Sequence, residues 1–282
     1  MLVNMYGMGQ SLLNEARLLG LTTVTERDAA AVTAWIGQAM GVTARASGGR
    51  VPILAVGAAK GGIGKTFVTC LLAEGMRRRG FNVLVWDSDI SNPGLVPAFR
   101  IPNSSPSYLH LIQRGAAHWN PTGITPFIFQ PDHTRGGNAG WGEIDFLVGS
   151  HTVARVENDV RLPDWQGLYD GVAQLDAYDL VIIDTPPDYL RRPYATHTLM
   201  KGGVVVLPCP PGARERMGVA HMLDHLRETA PDRLNRCSIL TAPLPMPTIG
   251  AWAAFVGRMR GENVDVPAPN TSVGSLASDR AA

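Results

Sequence analysis

The sequence predicts an α/β fold, a mainly parallel twisted sheet with helices on both faces. From residue 51 onward, short apolar runs alternate with segments whose apolar residues recur at helical spacing. The first run, Ile53-Leu54-Ala55-Val56, passes through a glycine-rich turn straight into such a segment, with Val68, Leu71, Leu72, Gly75 and Met76 on one stripe. Two further runs end in aspartate, at Asp87 and Asp184, where an open parallel sheet gathers ligands beyond its carboxyl edge. At 282 residues, 45% hydrophobic and 17% charged, the chain can bury a large core.

Residues 1–48 precede the first core strand and are expected to form a helical N-terminal extension. Ser11 is a candidate cap for a short helix through Leu12, Leu13, Ala16 and Leu19. Thr25-Glu26-Arg27-Asp28 opens an alanine-rich second helix to about Met40. Two helices around a short turn are compatible with a DNA-reading pair, but a lone basic residue in the second favours a packing or partner-docking arm. Ala44 to Arg50 is the linker. Residues 51–268 form the main domain, with strands expected at 52–56, 82–87, 144–148, 179–184, 203–207, 237–241 and 263–267. Gly80 caps the helix after the glycine turn, with Arg77, Arg78 and Arg79 at its negative end. A loop-rich insertion spans about 101–143, with one short helix near 107–114. Its His110, His118 and His133 lack metal-ligand spacing and are expected at the surface. Residues 269–282 are a flexible tail of small and polar residues.

The turn itself carries the chemistry. Gly57-Ala58-Ala59-Lys60-Gly61-Gly62-Ile63-Gly64-Lys65-Thr66 lies between strand and helix, the setting of a phosphate-binding loop. Glycines let backbone N–H groups curl around phosphates, and the helix N-terminus adds positive potential. Lys65 is placed to reach the β- and γ-phosphates, and the Thr66 hydroxyl to ligate Mg²⁺. Lys60 is a second cation at the mouth of the loop, able to contact phosphate in its own subunit or a facing one.

The arrangement Lys60-Gly61-Gly62-Ile63-Gly64-Lys65-Thr66 resembles the deviant Walker A loop of the ParA/MinD family of P-loop ATPases, and the resemblance covers roughly 51–268. It implies that Lys60 reaches across a nucleotide-sandwich dimer to the partner's phosphates. Phe67 departs from the family, which mostly carries Thr or Ser there to touch the α-phosphate. One residue apart, Asp87 and Asp89 are expected to point to opposite faces of an extended strand and so to do different jobs. By position the resemblance assigns Asp87 to the Mg²⁺ shell and Asp89 to orienting the attacking water. Asp184 matches the Walker B acid, which holds Mg²⁺ through water. Pro208, opening Pro208-Cys209-Pro210-Pro211-Gly212, is expected to wall the base pocket.

Mg-ATP is therefore the expected cofactor pair, and the expected activity is slow, partner-stimulated hydrolysis. The resemblance further implies a homodimer in the ATP state, non-specific DNA as the surface, and a ParB-like adaptor, in plasmid partition or cargo positioning. The net charge of +1 predicts no partner, but residues 191–260 hold ten basic against four acidic residues. Arg214, Arg216, Arg233, Arg236, Arg258 and Arg260 are the DNA-binding candidates within that span. A MinD-like membrane or pole-positioning ATPase is the alternative, disfavoured because residues 271–280 have neither an apolar stripe nor a basic face. The run Asp87-Ser88-Asp89-Ile90-Ser91-Asn92-Pro93-Gly94-Leu95, with Asp184-Thr185-Pro186-Pro187, resembles segments of bacterial tyrosine kinases. Those kinases lack a Lys60-type lysine and carry a tyrosine-rich C-terminal tail, whereas no tyrosine here follows Tyr194. A nucleotide-gated binding protein that barely hydrolyses would leave Asp89 idle. No apolar run approaches the ~18 residues of a membrane span, and no basic-then-apolar leader opens the chain. Cys70, Cys209 and Cys237 form no Cys-x-x-Cys pair. The expected location is the cytoplasm, at the nucleoid in the DNA-binding reading.

Overall fold

Alternate residues of the central strands point to opposite faces, and each row of side chains builds its own core. The computed structural model describes residues 2–4, 23–25, 49–58, 60–131, 142–149, 160–187, 192–208, 213–229, 231, 237–241, 256 and 259. Among the described residues nine strands form one sheet: β1 (Leu2–Asn4), β2 (Thr23–Thr25), β3 (Ile53–Val56), β4 (Val83–Asp87), β5 (Ile128–Phe129), β6 (Ile144–Leu147), β7 (Leu180–Asp184), β8 (Val204–Pro208) and β9 (Cys237–Thr241). Their order is β2-β1-β9-β8-β3-β7-β4-β6-β5, and all pairings are parallel except β5 with β6. The expected mainly parallel sheet is therefore present.

The helices are α1 (Lys65–Arg77), α2 (Leu95–Ala98), α3 (Tyr108–Arg114), α4 (Pro121–Ile124), α5 (Leu162–Val172), α6 (Pro193–Lys201) and α7 (Ala213–Thr229). Leu54, Val56, Val83, Val85, Leu180, Ile182, Val204 and Val206 pack toward α1 and α2. Ile53, Ala55, Leu84, Trp86, Val181, Ile183, Val205 and Leu207 pack on the other face, against α3 through α7. The strands read as continuous apolar runs because both faces are covered. Helices on both faces agree with the sequence expectation.

Strand 263–267 and the helices expected before residue 48 lie outside the described residues. What is described of 1–48 is β1 and β2, which extend the sheet beyond β9 and were not expected. Each has three residues, too short to show a period. The helix expected near 107–114 is α3, and its exposed His110 accepts from the Ser107 N–H through Nδ1 at 3.4 Å. His118 is exposed, and His133 lies outside the described residues. The same stretch also holds α4, which begins at Pro121 behind Asn120; the Asn120 side chain accepts from Gly123 N at 3.0 Å. Gly80, at φ +87°, follows the end of α1 and donates to Arg77 O at 2.9 Å. Arg77 is buried and forms a fork with Glu74 at 2.8 and 2.9 Å.

Candidate functional site

β3 and β7 lie side by side, and the turns that follow them open on the same sheet edge. Gly57 begins the loop beneath α6, where an added Cβ would stand 2.5 Å from Leu199 Cδ2. Gly62 and Gly64 hold φ of +75° and +87°, a backbone region that side-chain-bearing residues avoid. Gly64 caps α1 without a side chain, leaving the first amides of the helix turned to the loop. Lys65 is buried in the first turn, while Lys60, Ile63 and Phe67 are half-buried and Gly61 and Gly62 exposed. Pro208 ends β8, buried, beside the loop strand β3.

The two strand-end acids face each other. Asp87 and Asp184 are register partners on β4 and β7, and strand alternation turns both toward α1. Thr66 donates its hydroxyl to Asp184 Oδ2 at 2.6 Å. The other oxygen, Oδ1, is buried with no partner among the described residues. Burial pushes the Asp184 carboxyl up to about 6, against the Thr66 hydrogen bond and Lys65, which favour its charge. Burial, and then the neighbouring Asp184, push Asp87 well above the usual carboxylate range. Both Asp87 oxygens accept backbone N–H groups, from Asp89 at 3.1 Å and Leu95 at 2.9 Å. Asp87 thus pins both ends of the loop between β4 and α2. Gly94 brings this loop against Thr66, whose Oγ1 would lie 3.0 Å from an added Cβ.

Asp89 stands outside β4, which ends at Asp87. Its separation from Asp87 therefore comes from a side-chain-locked turn rather than from strand pleating. Asp89 Oδ1 accepts from Asn92 N at 3.1 Å and lies 3.9 Å from Arg192 Nη1. Partial burial raises the Asp89 carboxyl, opposed by the Asn92 N–H, Arg192 and Lys65. The turns are also tied at the backbone: Ser88 N and Oγ both donate to Asp184 O, at 3.0 and 2.8 Å. Thr185 N and Oγ1 both donate to Val56 O, at 3.1 and 2.8 Å.

Lys65, Thr66, Asp87, Asp89 and Asp184 are therefore brought together at one edge. Arg192 joins them, and sequence reasoning saw it only as one of many basic residues. The DNA-binding candidates receive no such placement. Arg214 and Arg216 lie in the first turn of α7, and Arg233, Arg236, Arg258 and Arg260 are outside the described residues. Among the described residues no cluster of His, Cys, Asp and Glu is arranged for a metal held by protein ligands alone. No described helix is long and apolar enough to cross a membrane.

Residues 51–122 match the family model described as ParA, NUBPL iron-transfer P-loop NTPase. No curated protein matches the chain. Among solved structures, a chimerical protein CapA2B2 is 20% identical over 75% of this chain and 83% of its own, with TM-score 0.53. The ATP complex of an McdA variant from Cyanothece is 17% identical over 76% and 80%, with TM-score 0.51. A putative plasmid partition protein from Borrelia burgdorferi B31, bound to AMPPNP, is 15% identical over 67% and 75%, with TM-score 0.51. At these identities the likeness is one of fold. In the segment that carries its glycine-rich loop this chain matches the ParA/NUBPL P-loop NTPase model, and the fold built around that segment is that of these solved structures.

Proposed function

We propose that the chain is an Mg-ATP-dependent ATPase that dimerises with ATP bound and acts as a switch in DNA partition or cargo positioning. One observation carries the reading: the Thr66 hydroxyl meets the buried Asp184 carboxylate at 2.6 Å, directly behind Lys65 in the first turn of α1. A hydroxyl and a buried carboxylate with an unpartnered oxygen fit a hydrated Mg²⁺, because such an ion supplies both the positive charge and the donors that Asp184 Oδ1 lacks. Thr66 would hold the ion directly and Asp184 through water, with Asp87 keeping the neighbouring loop in place. When bound, Mg²⁺ neutralises charge on the β- and γ-phosphates.

The remaining roles belong to the chain's own side chains. Lys65 and the loop amides bind phosphate, with Gly61, Gly62, Ile63 and Gly64 shaping the loop. Phe67 follows Thr66 in the first turn, where an apolar ring replaces a hydroxyl toward the α-phosphate, and Pro208 borders the base. Asp89 orients water, and Lys60 stabilises charge developing on the transferred phosphoryl group, from its own or the facing subunit. The basic span 191–260 supports DNA as the surface, with a ParB-like adaptor as partner and the nucleoid as the location. The named likeness to a plasmid partition protein supports the same reading.

The test is binding to random-sequence duplex DNA with ATP, with ADP and without nucleotide, over a salt series. Binding that requires ATP, weakens steeply with salt and ignores sequence is the expected outcome. Absence of binding in every condition would overturn the DNA assignment.

A further inference from the structure

Arg192 sits at the N-cap of α6, eight residues beyond Asp184, yet its guanidinium reaches across to the loop that follows β4. Its Nη1 donates to Ser91 Oγ at 2.8 Å and to Tyr194 OH at 3.2 Å, and lies 3.9 Å from Asp89 Oδ1. Ser91 and Asp89 belong to one loop, and Tyr194 belongs to α6. Tyr194 is a firm anchor: it is buried, and its ring centroid lies 5.0 Å from that of Trp165, itself locked by an Nε1 bond to Thr198 at 3.0 Å. The Arg192 and Asp89 side chains are 22% and 13% exposed, so their attraction is less screened than in a surface pair.

We propose that Arg192 is a positioning residue for hydrolysis, joining the turn after β4 to the helix after β7 so that Asp89 is held at the water-attack position. The inference rests on the ATPase reading given above. The backbone N–H groups that donate to Asp89 come from Asn92 and Ser91, within the same short loop. The Ser88 bonds to Asp184 O tie the start of that loop to β7, whereas the stretch that carries Asp89 and Ser91 is tied to α6 through Arg192. Arg192 thus links the start of α6 to the Asp89 side of the loop after β4.

The experiment measures kcat, KM for Mg-ATP and affinity for a fluorescent ATP analogue on the full chain. Its variants are Arg192→Ala, Arg192→Lys, Asp89→Asn and the Arg192→Ala/Asp89→Asn double. Arg192→Ala should lower kcat about tenfold, a mid-range coupling for side chains in one network. KM and analogue affinity should change by less than about twofold, since ground-state binding does not use this contact. Arg192→Lys should restore most of kcat, because one nitrogen makes all three contacts. Arg192→Ala should add nothing to the residual rate of Asp89→Asn. If Arg192→Ala fails to fold, Arg192→Gln, of similar length and neutral, carries the same expectation. A wild-type kcat in Arg192→Ala overturns this inference alone, as does an equal further loss in the Asp89→Asn background. A wild-type chain that binds but does not hydrolyse ATP overturns the ATPase reading together with it.

Discussion

Asp184→Asn should make the nucleotide-free protein's stability less dependent on pH while removing its response to Mg-nucleotide. In the folded chain burial pushes the Asp184 carboxyl up to about 6, from an ordinary value of 3.8. A folded-state value above the unfolded one means that ionisation is disfavoured by folding. The resulting cost is absent below the unfolded value, grows as pH rises, and is complete above the folded one. A gap of about two pKa units corresponds to about 3 kcal/mol in full, of which about 2 kcal/mol accrues between about pH 4.5 and pH 7.5. The amide keeps an oxygen for the Thr66 hydroxyl but does not titrate, so any pH-independent cost of its NH₂ group cancels in the comparison. The assay is urea unfolding of both proteins at the two pH values, without Mg²⁺ or nucleotide. The stability of the variant relative to wild type should improve by about 2 kcal/mol on going to the higher pH. A difference that stays constant would refute the claim that Asp184 is held ionised against burial. Adding Mg-AMPPNP should then stabilise wild type by about 2.7 kcal/mol at a hundredfold excess over Kd, and the variant by far less.

Lys60→Ala should cut turnover by about a hundredfold or more, the usual loss when a donor to transition-state charge is removed. It should also weaken ATP-linked dimerisation, and single-turnover kinetics with sedimentation would check both; a wild-type rate would remove Lys60 from the reaction. Gly94→Val should weaken Mg-nucleotide binding, because its first added carbon already stands 3.0 Å from Thr66 Oγ1, which is committed to Asp184. Overpacking of this kind costs about 1–3 kcal/mol, and isothermal titration should show a corresponding loss of affinity; an unchanged Kd would mean that the loop yields freely.

Much of the fold was legible because its strands are buried on both faces. Runs such as Val83–Asp87 and Leu180–Asp184 are apolar throughout, and each ends within a residue or two of its expected boundary. The helix Tyr108–Arg114 was legible from Leu109, Leu111 and Ile112 between turn-forming neighbours. β1, β2 and β5 were not, since two or three residues show no period. Their strand state depends on a neighbour already offering a free edge.

The sequence alone determined the identity of the phosphate loop. Gly62 and Gly64 are needed for a left-handed backbone, and Lys65 and Thr66 follow at the start of a helix, all within ten residues of chain. Local backbone sterics suffice to specify such a motif, so no distant contact is needed to read it. Only the tertiary structure decided how the three aspartates are placed. Strand pairing set Asp87 beside Asp184, burial raised both, and a turn hydrogen bond rather than the pleat separated Asp89 from them. Only the tertiary structure brought Arg192 to Asp89, across 103 positions of sequence. Electrostatic coupling depends on distance and solvent exclusion in space, and a linear sequence encodes neither until the sheet has formed.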